Sequence, residues 1–169
     1  MNGKAICNSG PIIALSIIDR IDILRNLFEF VAVPEAVHKE ILEGGTVNAG
    51  LTNYRKAKWI KVMKFSSPLD PLLRTSLDSG EAAVIGLARE LNVNLVLIDE
   101  RKARRIARTI YGLHVVGSAR ILVEAKKNGI IDNVGASIKA MRLNGYLLSA
   151  TTSWTDSRAT TSWTPIRLM

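Results

Sequence analysis

One cysteine, two histidines and no glycine-rich phosphate motif leave this chain with few of the usual chemical signatures. Cys7 alone can form neither an intramolecular disulfide framework nor a CxxC-type zinc site. Neither G-x-G-x-x-G nor G-x-x-x-x-G-K-S/T occurs, so dinucleotide and P-loop fingerprints are absent. Nor does G-x-S-x-G, and His38 and His114 alone give a Ser-His-Asp triad little to build on. No apolar run approaches the roughly 18 residues of a membrane span. The nearest, Pro11 to Ile18, is closed by Asp19 and Arg20, and no small-x-small cleavage site follows it. The expectation is a cytoplasmic protein with no membrane association.

What the chain does have is a core and a charge. Its 169 residues suit one domain, and 47% hydrophobic with 22% charged residues argues against disorder. Lysine and arginine number 23 against 15 acids, a net charge of +8, which favours polyanions or acidic lipid headgroups without choosing between them. From residue 150 the apolar periodicity stops and Thr-Thr-Ser-Trp-Thr occurs twice, at 151–155 and 160–164. The expected division is a folded domain over 1–149 and a disordered or non-native tail over 150–169.

Strands and helices alternate along the domain. Lys4 to Cys7 reads as a strand passing through Asn8-Ser9-Gly10-Pro11 into helical spacing that ends near Phe28. Phe30 to Val33 is a brief strand, and Pro34 is expected to open a helix to about Leu42, stopped by Gly44-Gly45. A polar helix follows from Val47 to Lys58, then a period-two strand over Trp59 to Lys64. After a loop and a weak helix, Glu81 to Leu91 is strongly helical. Leu95 to Ile98 is an all-apolar run, the pattern of a parallel strand covered on both faces. A helix from Asp99-Glu100 to Tyr111 follows, then a strand over Leu113 to Gly117. Ser118 is expected to cap the next helix, and a last one spans about Asp132 to Leu143. This order calls for a three-layer α/β/α sandwich with a mostly parallel sheet, whose ligands bind outside the carboxyl ends of the strands.

The acids at element ends carry the chemical information. Asn8 ends the first strand, Asp99 and Glu100 end the buried one, Glu81 starts a helix and Glu40 lies inside one. Carboxylates converging at one sheet edge would repel and take up protons, and a divalent cation removes that penalty. Mg²⁺ prefers oxygen ligands and substrate phosphate, and such an ion activates water and stabilises the leaving oxygen of a phosphodiester. Each residue also has a plainer reading. Asp78-x-x-Glu81 fits a capping box, Asp99 fits the N-cap of the following helix, Asn8 fits a turn, and Glu40 fits a solvated helix face.

The helix after Asp99 adds a second signal. Arg101, Arg104, Arg105 and Arg108 share one face, and Ala103, Ile106, Ala107 and Ile110 the other. A basic face beginning beside the acids suits a nucleic-acid backbone and makes its binding salt-dependent. A solvated amphipathic helix would show the same pattern.

Taken in order, four blocks resemble the PIN-domain family: Ile6-Cys7-Asn8-Ser9-Gly10-Pro11-Ile12-Ile13-Ala14-Leu15, Val33-Pro34-Glu35-Ala36-Val37 with Glu40, Leu77-Asp78-Ser79-Gly80-Glu81-Ala82, and Leu97-Ile98-Asp99-Glu100-Arg101-Lys102-Ala103-Arg104. The resemblance spans residues 4–148 and is nearest to a prokaryotic branch. It implies a metal-dependent ribonuclease fold with three or four acids around Mg²⁺ or Mn²⁺. By position the acids are Glu40, Glu81 and Asp99, with Glu100 as a fourth. Asn8 stands where the wider family has an aspartate, so it offers a carbonyl oxygen but no charge. Ser9 sits where a hydroxyl in some relatives helps hold a water of the ion. Many relatives are toxins of toxin–antitoxin pairs and dimerise, which implies a homodimer and a small antitoxin-like partner here.

The expected function is therefore a Mg²⁺- or Mn²⁺-dependent endoribonuclease. Asn8, Glu40, Glu81 and Asp99 would form its catalytic metal site, and Ser9, Arg101, Arg104, Arg105 and Arg108 would contact RNA. The alternative is a nucleic-acid-binding protein whose activity Asn8 has weakened or abolished.

Overall fold

Four short apolar runs and one basic edge run become the strands of a single sheet. The computed structural model describes residues 3–43 and 48–146; the expected tail over 150–169 lies outside them. The chain runs β1 (Lys4–Cys7), α1 (Ser9–Ile17), α2 (Asp22–Leu27), β2 (Phe30–Pro34), α3 (Glu35–Glu43), α4 (Asn48–Lys56), β3 (Lys61–Met63) and α5 (Pro71–Ser76). It continues through α6 (Ser79–Glu90), β4 (Leu95–Leu97), α7 (Arg101–Thr109), β5 (His114–Val116), α8 (Ser118–Lys127) and α9 (Val134–Leu143). The sheet order is β3-β2-β1-β4-β5 and every pairing is parallel.

That order sets the layers. From β1 to β3 the chain steps toward one edge, and from β3 through β4 to β5 toward the other. Right-handed crossovers therefore put α1, α2 and α4 on one face and α6 and α7 on the opposite face, with α3 packed on β2 and β3 and against α6. Accordingly α6 packs on β1, β2 and β4 and against α7, while α8 and α9 fold back onto α1. The result is the expected three-layer α/β/α sandwich.

Burial follows position in the sheet. Ala5, Ile6 and Cys7 of β1 and Val96 and Leu97 of β4 are fully buried, as strands covered by helices on both faces require. Lys61 and Val62 of edge strand β3 are exposed. The period-two run at Trp59–Lys64 shrinks to three strand residues, since only β2 is there to pair with it.

Three local expectations are corrected. Pro34 ends β2, opposite Met63, instead of opening a helix; its restricted φ suits an extended residue as well as a first helical turn. Ser118 is the first helical residue of α8, and Gly117 holds the N-cap position, which frees the Ser118 hydroxyl for a partner outside its own helix. Ile110 does not join the buried face of its helix. It is the C-cap of α7, its amide still bonded to Ile106 O, and is 54% exposed.

Cys7 is fully buried, and desolvation, with the Asp99 charge as a second cause, pushes its thiol well above the usual range. Thiolate is the reactive species. A chromogenic disulfide reagent should therefore leave the native protein untouched and titrate one thiol only after denaturation.

Candidate functional site

The switch point of the sheet lies between β1 and β4, where the strand order reverses and ligands of open α/β sheets bind. The Asn8 amide donates to Leu97 O at 2.9 Å and the Ile98 amide to Val116 O at 2.9 Å. These bonds extend the ladders past the strand ends and hold the next residues side by side. Asn8 and Ser9 leave β1 there, and Asp99 and Glu100 leave β4. From the flanking helices, Glu40 of α3 and Asp78 and Glu81 at the start of α6 reach the same edge. All of these residues, with Gly10, Lys102 and Tyr146, line one cleft of about 520 Å³.

Each acid is held differently. Asp78 is the N-cap of α6, and its carboxylate accepts from the Glu81 amide at 2.8 Å, while Glu81 Oε2 accepts from the Asp78 amide at 3.4 Å. The capping box is thus real, and it does not exhaust Glu81, which is only 5% exposed. Burial is the largest cause that pushes its pKa up to about 7. The Asp78 charge adds to this, the Asp78 amide opposes it, and Glu100 and Glu40 contribute less. Glu40 Oε1 accepts from Ser9 Oγ at 2.9 Å, joining α3 to the start of α1. Asp99 is not the N-cap of α7; Glu100 is, accepting from the Lys102 amide at 3.5 Å. Asp99 instead turns toward α8, where its Oδ1 accepts from the Ser118 amide at 2.7 Å and its Oδ2 from the Ser118 hydroxyl. The Tyr146 hydroxyl donates to the same Oδ2 at 2.7 Å.

Asn8 is the residue without a settled role in local structure. It occupies the N-cap position of α1 but makes no side-chain cap bond, and its Oδ1 is buried with no hydrogen-bond partner. A buried carbonyl oxygen left unsatisfied costs about 1–3 kcal/mol, so a role beyond turn formation would account for it.

The basic helix divides. None of Arg101, Arg104, Arg105 and Arg108 lines the cleft; the cation that does is Lys102. Arg101 and Arg105 face solvent, and the Arg108 guanidinium donates to Val115 O at 2.9 Å, so part of its capacity is spent on the edge strand.

A family profile described as a PIN domain matches residues 4–154. The chain belongs to the PIN-domain family. No curated protein matches it. PIN domains are nuclease-type domains that act on nucleic acids and generally depend on divalent metal. In this PIN domain the donors at the cleft are all oxygens, the set that suits a hard cation. The orphaned Asn8 Oδ1 and the opposed ionisation of Glu81 are the two features a bound cation would relieve, so the residues present fit one. Among the described residues, no three of His, Cys, Asp and Glu are already drawn together closely enough to hold an ion. The acids ring the cleft without closing on a common centre. None of the described helices is long and apolar enough to cross a membrane.

Sequence reasoning missed Ser118, Tyr146 and Lys102. The parallel topology could have pointed to Ser118, because the first residues after β5 open onto the same edge as Asn8 and Asp99. Nothing in the periodicity marks Tyr146, which lies 47 residues from its partner.

Proposed function

We propose that this PIN domain is a Mg²⁺- or Mn²⁺-dependent endoribonuclease acting at the cleft between β1 and β4. The observation that carries the reading is the convergence of Asn8, Glu40, Glu81 and Asp99 on that one cleft, with a buried, unpartnered oxygen on Asn8. Glu40, Glu81, Asp99 and Asn8 would hold the cation, and Glu100 stands at the rim. A bound cation would polarise the scissile phosphate and lower the pKa of water beside it. Ser9 orients Glu40 through its hydroxyl, and Ser118 orients Asp99 through its amide and hydroxyl. Lys102 offers positive charge to the backbone of an RNA strand at the cleft wall. Arg101 and Arg105 extend that contact outward, with Arg104 and Arg108 behind them on the same helix. Family membership alone carries the finer expectations of a cytoplasmic toxin, a homodimer and a small antitoxin-like partner.

One observation favours a second reading, an RNA-binding protein with a weakened centre. Asn8 brings no charge, and the acids have not closed on a common point. The two readings separate on Asn8→Asp. An added carboxylate at a metal site should tighten Mn²⁺ binding by about tenfold or more and raise cleavage with it. For the nuclease reading, wild-type protein with Mn²⁺ cuts single-stranded RNA and Asn8→Asp cuts faster. If both leave RNA intact while binding it with a steep salt dependence, the second reading stands and the first is lost.

A further inference from the structure

The environment of Asp99 holds a feature that the nuclease reading does not use. Its two oxygens face different ways. Oδ1 takes the Ser118 amide at 2.7 Å, on the α8 side. Oδ2 lies on the α1 side, 3.3 Å from where a Cβ on Gly10 would sit, and Gly10 lines the cleft. Asp99, Gly10 and Tyr146 line the same cleft, and the oxygen beside Gly10 is Oδ2. That oxygen already accepts two hydroxyls, from Ser118 and from Tyr146. A carboxylate oxygen has two lone-pair sites, so both sites of Oδ2 are engaged, and a cation that takes this oxygen competes with the two hydroxyls.

The two hydroxyls are not equally anchored. Ser118 is fully buried at the first position of α8, and its backbone is tied to Asp99 by a second bond. Tyr146 lies past the end of α9, and its amide reaches back to Met141 O at 2.9 Å. Directly before it is Gly145, at φ +86, whose amide returns to Arg142 O at 3.0 Å, so the two residues close α9 in a left-handed C-terminal turn. The Tyr146 ring is only partly buried, and its hydroxyl would sit 3.0 Å from a Cβ at Gly10, close over the start of α1. The ring thus reaches from the end of the last helix to the cleft, and its hydroxyl bond to Asp99 is what a cation would have to displace.

We propose that Tyr146 is a latch on the candidate metal site: its hydroxyl and a divalent cation compete for Asp99 Oδ2, and cation binding requires the Tyr146 side chain to swing out. The proposal rests on the nuclease reading, because it needs Asp99 to be a cation ligand. It makes Tyr146, three residues past α9, a control element. Whatever draws Tyr146 away opens the centre, and whatever holds it down keeps the centre shut.

The test is a pair of calorimetric titrations with MnCl₂, on the wild-type chain and on Tyr146→Phe, at pH 8 so that Glu81 is ionised in both. Tyr146→Phe keeps the ring and its packing and removes only the competing hydroxyl. Its Kd for Mn²⁺ is expected to be about tenfold lower, the effect of one charge-assisted hydrogen bond no longer displaced. A second readout follows the tyrosine itself. Mn²⁺ should perturb the near-ultraviolet tyrosine difference spectrum of the wild type and leave that of Tyr146→Phe flat, since Tyr54 and Tyr111 stand outside the cleft. Equal or weaker Mn²⁺ binding by Tyr146→Phe would make Tyr146 a prop for Asp99 and overturn the latch alone. Absence of Mn²⁺ binding in both proteins would overturn the nuclease reading, and the latch with it.

Discussion

Glu81→Gln is expected to weaken Mn²⁺ binding and RNA cleavage severely while leaving the fold intact. The side chain is only 5% exposed, at the first turn of α6. Its structural task is to accept a hydrogen bond from the Asp78 amide, and a glutamine carbonyl can do the same. What is lost is the charge. Removing one anionic ligand takes several kcal/mol from the stabilisation a catalytic metal supplies, so cleavage should fall by about a hundredfold or more. Circular dichroism would match wild type, calorimetry with Mn²⁺ would lose its heat, and a gel assay on single-stranded RNA would lose its products. Retained cleavage at wild-type rate would remove Glu81 from the site.

The same residue dictates a pH dependence. Folding raises the Glu81 pKa from 4.5 to about 7, so the native state binds more protons than the unfolded chain between those values. By linkage, this group's contribution to stability falls as pH climbs through that window and is flat beyond it. In Glu81→Gln that decline is absent, and denaturant unfolding at pH 5 and pH 8 would show the difference. Cation binding runs the opposite way. The ligand must be ionised, so the Mn²⁺ affinity of the wild type rises with pH up to about 7 and levels off above it.

Leu97→Ala carries the largest expected effect on stability. Leu97 is fully buried in β4, opposite Cys7 on one side and Val116 on the other. Helices cover both faces of the sheet there, so little can collapse into the space a shortened side chain leaves. Leucine-to-alanine changes at such sites cost roughly 2–5 kcal/mol, against a total of about 5–15 kcal/mol for a domain. At this chain length the midpoint of thermal unfolding should drop by roughly 10 °C. The same truncation at Val62, on edge strand β3 and 44% exposed, should stay within about 0.5 kcal/mol. Similar losses at the two positions would mean that β4 is not the centre of the core.

How much of the site could be read in advance depends on which kind of constraint placed each residue. Asn8, Asp99 and Glu100 follow directly from strand ends, and in a parallel sheet all carboxyl ends share one edge. Glu81 was legible twice, as a capping-box residue and as a candidate ligand, and the geometry supports the first role while leaving the carboxylate strained by its neighbours. Glu40 reached the cleft from the middle of a helix because α3 packs against α6, which its own spacing could not reveal. The arginine periodicity on α7 identified a real exposed face, yet the angle of that helix to the sheet brought Lys102 to the cleft wall and turned Arg108 toward β5.

Taken alone, the chain's pattern of apolar runs determined the alternation of strands and helices, the buried central strands and the sheet edge at which the polar residues gather. These are local properties, set by periodicity, capping and the parallel connection rule. Only the tertiary structure decided that a tyrosine 47 residues away holds Asp99 Oδ2, that Ser118 holds both Asp99 oxygens, and that the Asn8 side-chain oxygen is buried without a partner. Those features depend on how helices distant in the chain pack over one edge, and packing between remote segments leaves no periodic trace in either segment.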